Sequence, residues 1–175
     1  YNADCPVVCM DEQPVQLIAE TRPVIPAKPG ATSKYDYEYR RVGTAVNFMF
    51  TEPLKHWRKV NVRRTKTKKD WAEEIRELLD MNYPEARKVL LVCDNLNTHT
   101  MGALYERFAP AEARRLAKRL EIHYTPKHGS WLNIAETELS LLTRRALHRR
   151  IESFDSLVTE TAAWAEARNH QSGTV

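Results

Sequence analysis

The stretch "KVLLVCDNLNTHT", Lys88 to Thr100, opens as a continuous apolar run and breaks on a carboxylate at Asp94. An unbroken apolar run of this length marks a central strand covered on both faces. A core strand gains nothing from an acid at its tip. Asp94 is therefore paired, caps a helix, or holds a metal.

The segments on either side fix the fold class. Upstream, "TKKDWAEEIRELLDMNY" sets Trp71, Ile75, Leu78 and Leu79 on one helical face, with Asp70 as the expected cap and Pro84 as the stop. Downstream, "MGALYERF" and "AEARRLAKRL" read as short helices separated by Pro110, and "EIHYTP" reads as another strand. "WLNIAETELSLLTRRALHRRI" and "FDSLVTETAAWAEARNH" read as two further helices, the last with Ser153 or Asp155 near its start. Toward the beginning, "PVVCMDE" and "VQLIAE" read as two extended pieces with Pro14 between them. "TRPVIPAKPGATSKY" is a loop, "YEYRRVGTAVNFMF" one or two strands, and "HWRKVNVRR" an exposed or edge strand. Strands first, then strand–helix alternation, predict an α/β domain with a mixed sheet covered by helices.

The chain has 175 residues, 42 % of them apolar, which fits one domain with a real core. Lys and Arg outnumber Asp and Glu by 27 to 23, a modest but clustered excess that suits a polyanionic partner. Cys5, Cys9 and Cys93 have no metal-binding spacing and read as buried, reduced thiols of a cytoplasmic protein. No apolar run approaches the ~20 residues that span a membrane. The opening "YNADCPVVCMDE" carries no signal-peptide pattern and no initiator Met, and reads as part of a longer protein.

In open α/β sheets, ligands gather at strand carboxyl ends. Two strands end on acids here, at Asp11 and at Asp94. As sheet neighbours, their carboxylates would repel unless one took up a proton or a cation sat between them. Hard ions such as Mg²⁺ suit such oxygen donors. From these two positions, a metal pair and a set of capping or ion-paired acids both remain open. Glu136, about one turn into its helix, shares a flank with Ser140 and Thr143 beside the core face Ala135, Leu139, Leu142 and Ala146. It is either a third ligand or a first-turn acid favoured by the helix dipole. Glu138 competes for that role but projects elsewhere and is expected to be solvated.

Together, "VVCMDE", "LLVCDNLNTHT" and "HYTPKHGSWLNIAETELSLLTRR" resemble the catalytic core of DDE-superfamily transposases. The pattern is that of the bacterial insertion-sequence group IS six-thirty, relatives of mariner elements. The resemblance extends through "YDYEYRRVGTAVNFMF" and "RRTKTKKDWA", nearly the whole chain. It implies a ribonuclease H-like fold with a mixed sheet flanked by helices. It implies that Asp11, Asp94 and Glu136 are the catalytic acids and bind two Mg²⁺ ions, for which Mn²⁺ can substitute. Mariner relatives read Leu-Asn-Pro-Ile-Glu where this chain has Leu132 to Glu136, which favours Glu136 over Glu138. Two-metal cleavage calls for a shared carboxylate, and Asp11, central in the sheet, is the expected bridge. The implied activity is cleavage of double-stranded DNA at element ends and strand transfer into a target, without a covalent protein–DNA intermediate. Residues 1–175 would form one catalytic core domain without the helix-turn-helix domains that usually precede it. The setting would be bacterial and nucleoid-associated, with a homodimer allowed.

DNA also needs a basic surface. "HWRKVNVRRTKTKK" supplies Arg58, Lys59, Arg63, Arg64, Lys66, Lys68 and Lys69, and "RRALHRR" supplies Arg144, Arg145, Arg149 and Arg150. Lys127 and His128 precede the Glu136 helix, where a phosphate would approach. His99 suits either a structural hydrogen bond or the scissile phosphate. Trp57 and Trp131 are candidate stacking residues, whereas Trp71 and Trp164 have core spacing. Two rivals stand beside this reading: a ribonuclease H-like nuclease that cuts without joining, and a domesticated, non-catalytic DNA-binding module.

Overall fold

The computed structural model describes residues 2–34, 36–127 and 129–171. Its five strands are β1 (Val7–Glu20), β2 (Tyr39–Glu52), β3 (Trp57–Arg63), β4 (Val89–Cys93) and β5 (Leu120–Tyr124). They form one mixed sheet in the order β3-β2-β1-β4-β5. β1, β2 and β3 pair antiparallel, while β1, β4 and β5 pair parallel. The helices are α1 (Lys68–Glu77), α2 (Met101–Arg107), α3 (Pro110–Arg119), α4 (Ile134–Arg145) and α5 (Phe154–His170). This is the α/β class that the strand–helix alternation predicts.

Alternation along the central strands sends neighbours to opposite faces. Val8 and Met10 join Phe48, Phe50 and Leu91 under α1, α2 and α3, where Trp71, Ile75, Leu104 and Leu116 complete the core. Cys9 joins Met49 and Val60 under α4 and α5, against Ala135, Leu139, Leu142 and Trp164. Coverage on both faces is why the inner strands read as apolar runs. Trp71 and Trp164 both pack in these cores, as their spacing predicts. Cys9 and Cys93 are buried, but Cys5 is only half-buried.

β1 differs from its expected form. It is one 14-residue strand running through Pro14, not two pieces, so Asp11 lies within it rather than at its end. Leu90 N–H donates to the Pro6 carbonyl, so even-numbered residues of β1 turn their backbone groups toward β4. The β1–β4 ladder ends at the Cys9–Val92 pair, five residues before Pro14. Pro14 pairs with Val46 of β2 in register, and its missing N–H falls where no strand remains to receive it.

One helix start differs in detail, and another is as expected. Thr67, not Asp70, caps α1; Asp70 sits at the third helical position and completes a capping box by accepting from the Thr67 N–H at 2.8 Å. Ser153 caps α5. Among the described residues, no helix is long and apolar enough to cross a membrane.

Glu138 is not solvated. It is 5 % exposed and meets Arg58, with Arg58 Nε 2.9 Å from its Oε2 and Nη2 3.1 Å from its Oε1. Arg168 approaches the same carboxylate at 3.3 Å. Removing one member of a buried pair strands the other's charge. Glu138→Ala is therefore expected to lower unfolding free energy by about 3–5 kcal/mol, and pairing it with Arg58→Met should recover much of the loss. Urea unfolding of the two variants measures this; a loss of less than ~1 kcal/mol, as for a solvent-screened pair, would refute it.

Candidate active site

The site forms where β4 stops and β1 continues. Extending the Cys9–Val92 register by two residues puts Asp11 level with Asp94. Cys9 and Val92 both pack on the α4 side, so strand alternation turns Asp11 toward that side as well. α4 then supplies Glu136 from its first turn. An open cleft of about 410 Å³ lies between the two elements, lined by Asp11, Glu12 and Gln13 from β1 and by Glu136, Ser140, Thr143 and Arg144 from α4. Gln13 Nε2 donates to Thr143 Oγ1 at 2.9 Å across it. The flank predicted for Glu136, Ser140 and Thr143 thus faces Asp11.

Electrostatics tie the three acids together. Burial pushes the Asp11 carboxyl up; a hydrogen bond from the Glu12 N–H at 2.7 Å opposes this, and repulsion from Asp94, Glu136 and Glu12 adds to it, giving a pKa of about 6. The donors are hard carboxylate oxygens, the type that suits Mg²⁺ or Mn²⁺. They are not drawn together: among the described residues, no three His, Cys, Asp or Glu side chains form a ready-made metal cluster. The residues fit a divalent ion by donor chemistry and by shared field, as an open set and not a closed cage.

His99 contacts Asp94. Its Nδ1 lies 2.8 Å from Asp94 Oδ1, off-axis for a hydrogen bond, and 3.2 Å from the Asp94 carbonyl. Its Nε2 meets Glu12 Oε1 at 3.0 Å. Its ring stacks on Trp71, and its backbone carbonyl accepts from the Tyr124 hydroxyl at 2.6 Å. Burial opposes the imidazolium, but the close Asp94 carboxylate and the contacts with Cys93 and Glu12 outweigh it, and the pKa is pushed up to about 12. His99 is 0 % exposed, so it presents no face to DNA in this structure; of its two expected roles, the structure displays the hydrogen-bonding one. Glu12, on the opposite face of β1 from Asp11, is the partner that sequence reading missed. Period-two alternation in the "DE" pair was the available signal.

The expected basic surface is partly spent on the fold. Arg63 pairs with Glu74 and lies 3.9 Å from Asp70; Lys59 pairs with Glu77; Arg58 pairs with Glu138. Lys68 is 2.6 Å from Glu106, and Arg149 and Arg150 pair with Glu160 and Glu20. Trp57 packs edge-on against Tyr83 rather than standing free to stack on a base. Lys66 is half-exposed and reaches to 3.8 Å from Glu12 Oε2, at the acids. Arg64 is exposed with its guanidinium 4.5 Å over the Phe154 ring. Lys69, Lys127, Arg144 and Arg145 are exposed, and Trp131 is 73 % exposed. His128 lies outside the described residues.

Comparison with known proteins gives a consistent picture. The family model described as DDE superfamily endonuclease matches residues 6–158. Among solved structures, the chain is similar to the Mos1 transposase paired-end complex with left transposon end, at TM-score 0.63 and 17 % identity, over 93 % of this chain and 48 % of that one. It is similar to the Mos1 strand transfer complex at TM-score 0.63 and 15 % identity, over 93 % and 47 %. The chain spans about half the length of those chains, and at such identities the likeness is one of fold. That fold is the ribonuclease H-like arrangement of a mixed sheet flanked by helices. No curated protein matches the sequence.

The raised Asp11 pKa has a signed consequence for stability. The folded group holds its proton up to about pH 6, against 3.8 ordinarily, so ionised Asp11 costs stability above pH 6 and nothing below about pH 4. In metal-free buffer, Asp11→Asn is expected to stabilise the protein by about 1–2 kcal/mol at pH 7, after allowing for solvent screening. The gain should fade between pH 6 and pH 4. Thermal melts across that range measure it, and a variant less stable than its parent at pH 7 would contradict the crowding of charge.

Proposed function

The chain belongs to the DDE superfamily of endonucleases, and from that premise we propose that it is the catalytic core of a DNA transposase, with Asp11, Asp94 and Glu136 as its acids. The observation that carries the reading is geometric: Asp11 and Glu136 line one cleft, and the β1–β4 register puts Asp94 level with Asp11. A proton or a cation relieves such a cluster. Asp11, Asp94 and Glu136 would hold the divalent ions, which would supply the positive charge that phosphodiester attack requires.

The chain's own residues do the rest. Glu12 and Trp71 fix His99, and His99 fixes the loop that carries Asp94. Arg144 borders the cleft on the α4 side, where a backbone phosphate would enter. Lys66 lies 3.8 Å from Glu12 Oε2, beside the acids. Lys69, Lys127, Arg145 and Arg64 extend the positive surface, and exposed Trp131 offers a flat face for a base. The chemistry breaks one P–O bond as water adds to phosphorus and leaves a 3′-hydroxyl. The same site can then present that hydroxyl to a target phosphodiester, breaking one P–O bond as another forms. No protein nucleophile is required. The similar structures hold a transposase with a transposon end and in a strand transfer complex, which supports DNA ends as the substrate here.

Two measurements test the reading. Asp94→Asn is expected to abolish Mn²⁺-dependent DNA cleavage, by about 10³-fold or more, while leaving folding and non-specific DNA binding near the parental level. Cleavage at the parental rate would remove Asp94 from the site. A pre-cut duplex with a free 3′-hydroxyl should be joined to target DNA; cutting without joining would favour a simple nuclease. No Asp11-dependent Mn²⁺ binding and no cutting would favour a non-catalytic module.

A further inference from the structure

Asn133 precedes α4 and is only 2 % exposed. Both ends of its side-chain amide are engaged. Oδ1 accepts from the Ala135 N–H at 3.2 Å and caps the helix. Nδ2 donates to the Met10 carbonyl at 2.9 Å, across to β1. Each contact touches the residue next to a candidate acid: Met10 precedes Asp11, and Ala135 precedes Glu136. The Glu136 N–H also donates to the Asn133 carbonyl at 3.0 Å.

The Met10 carbonyl needs such a donor. It points toward β4, by the alternation that the Leu90–Pro6 bond establishes, but the β1–β4 ladder ends one residue earlier at Cys9–Val92. A buried carbonyl left open at that step would be costly. Asn133 closes it, and in doing so joins the strand of Asp11 to the first turn of the helix of Glu136. A capping residue alone needs only an acceptor, so Ser, Thr or Asp would serve. The second contact is what calls for a donor at the same position.

We propose that Asn133 is the positioning residue that sets Glu136 opposite Asp11, through one buried amide bridging the Met10 carbonyl and the start of α4. The proposal rests on the reading of Asp11 and Glu136 as divalent-ion ligands. It predicts that loss of the Met10 contact, with the cap retained, loosens the pair of acids and weakens ion binding more than it weakens the fold.

Asn133→Ser keeps a capping oxygen and is too short to reach Met10; Asn133→Thr fills more of the space and serves if the serine variant does not fold. Mn²⁺ affinity is measured by calorimetry well below the melting temperature, on the parent, on Asp11→Asn and on the folded Asn133 variant. The control is Ser153→Ala, which removes a cap of comparable kind from α5, where Ser153 Oγ accepts from Ser156 N–H at 3.0 Å. The expected result is Mn²⁺ affinity about tenfold weaker in the Asn133 variant and unchanged in Ser153→Ala, although both melt a few degrees lower. Parental affinity in the Asn133 variant would overturn the proposal and leave the acids in place. Weakening in Ser153→Ala as large as in the Asn133 variant would also overturn it, by reducing the effect to stability. If the parent shows no binding that Asp11→Asn removes, the ligand reading itself fails, and the proposal with it.

Discussion

The early end of one ladder is the constraint on which the site depends. β4 pairs with β1 for only three rungs and then leaves, while β1 runs on against β2 for the rest of its length. That departure opens a notch in the middle of a covered sheet. A carboxylate in an unbroken central strand would be buried under helices with no route to solvent or to a substrate. At the notch, Asp11 is half-buried, near enough to the core to be fixed in place and near enough to the surface to be reached. The same departure lets Pro14 sit within a strand and leaves the Met10 carbonyl for Asn133.

The charge balance around the notch is arranged in two compartments. On the α4 side, Asp11 and Glu136 face an open cleft with Arg144 at its edge. On the α1 side, Glu12 and the buried His99 form a closed pair against Trp71. Asp94 lies between them and touches the closed compartment through His99. Asp94 is thus held against the buried His99, while Asp11 and Glu136 line the open cleft.

Much of this was legible in the sequence, and the residues that were not share a physical reason. The apolar run from Val89 to Cys93 gave away the central strand, and helical spacing placed Glu136, Ser140 and Thr143 on the cleft flank. Local pattern could not show that Pro14 faces an absent neighbour, because that depends on where a strand far along the chain ends. Glu138 read as solvated because its partner Arg58 is distant in sequence and belongs to what looked like a run of surface charge. Arg63 and Lys59 misled in the same way: alternate residues of an edge strand turn to α1 and pair with Glu74 and Glu77. A count of positive residues does not reveal which ones already have an anion. Alternation could put Glu12 on the face opposite Asp11, but not beside His99, which lies 87 residues along the chain.

The outer rim of the sheet carries a consequence of its own. At β3, the Asn169 side chain accepts from the Arg58 N–H and donates to the Arg58 carbonyl, both at 2.8 Å. A side-chain amide there imitates the peptide group of an adjoining strand and fills its place. An incoming chain seeking to extend the sheet by backbone pairing finds that position taken, so this margin resists the edge-to-edge stacking by which exposed strands aggregate.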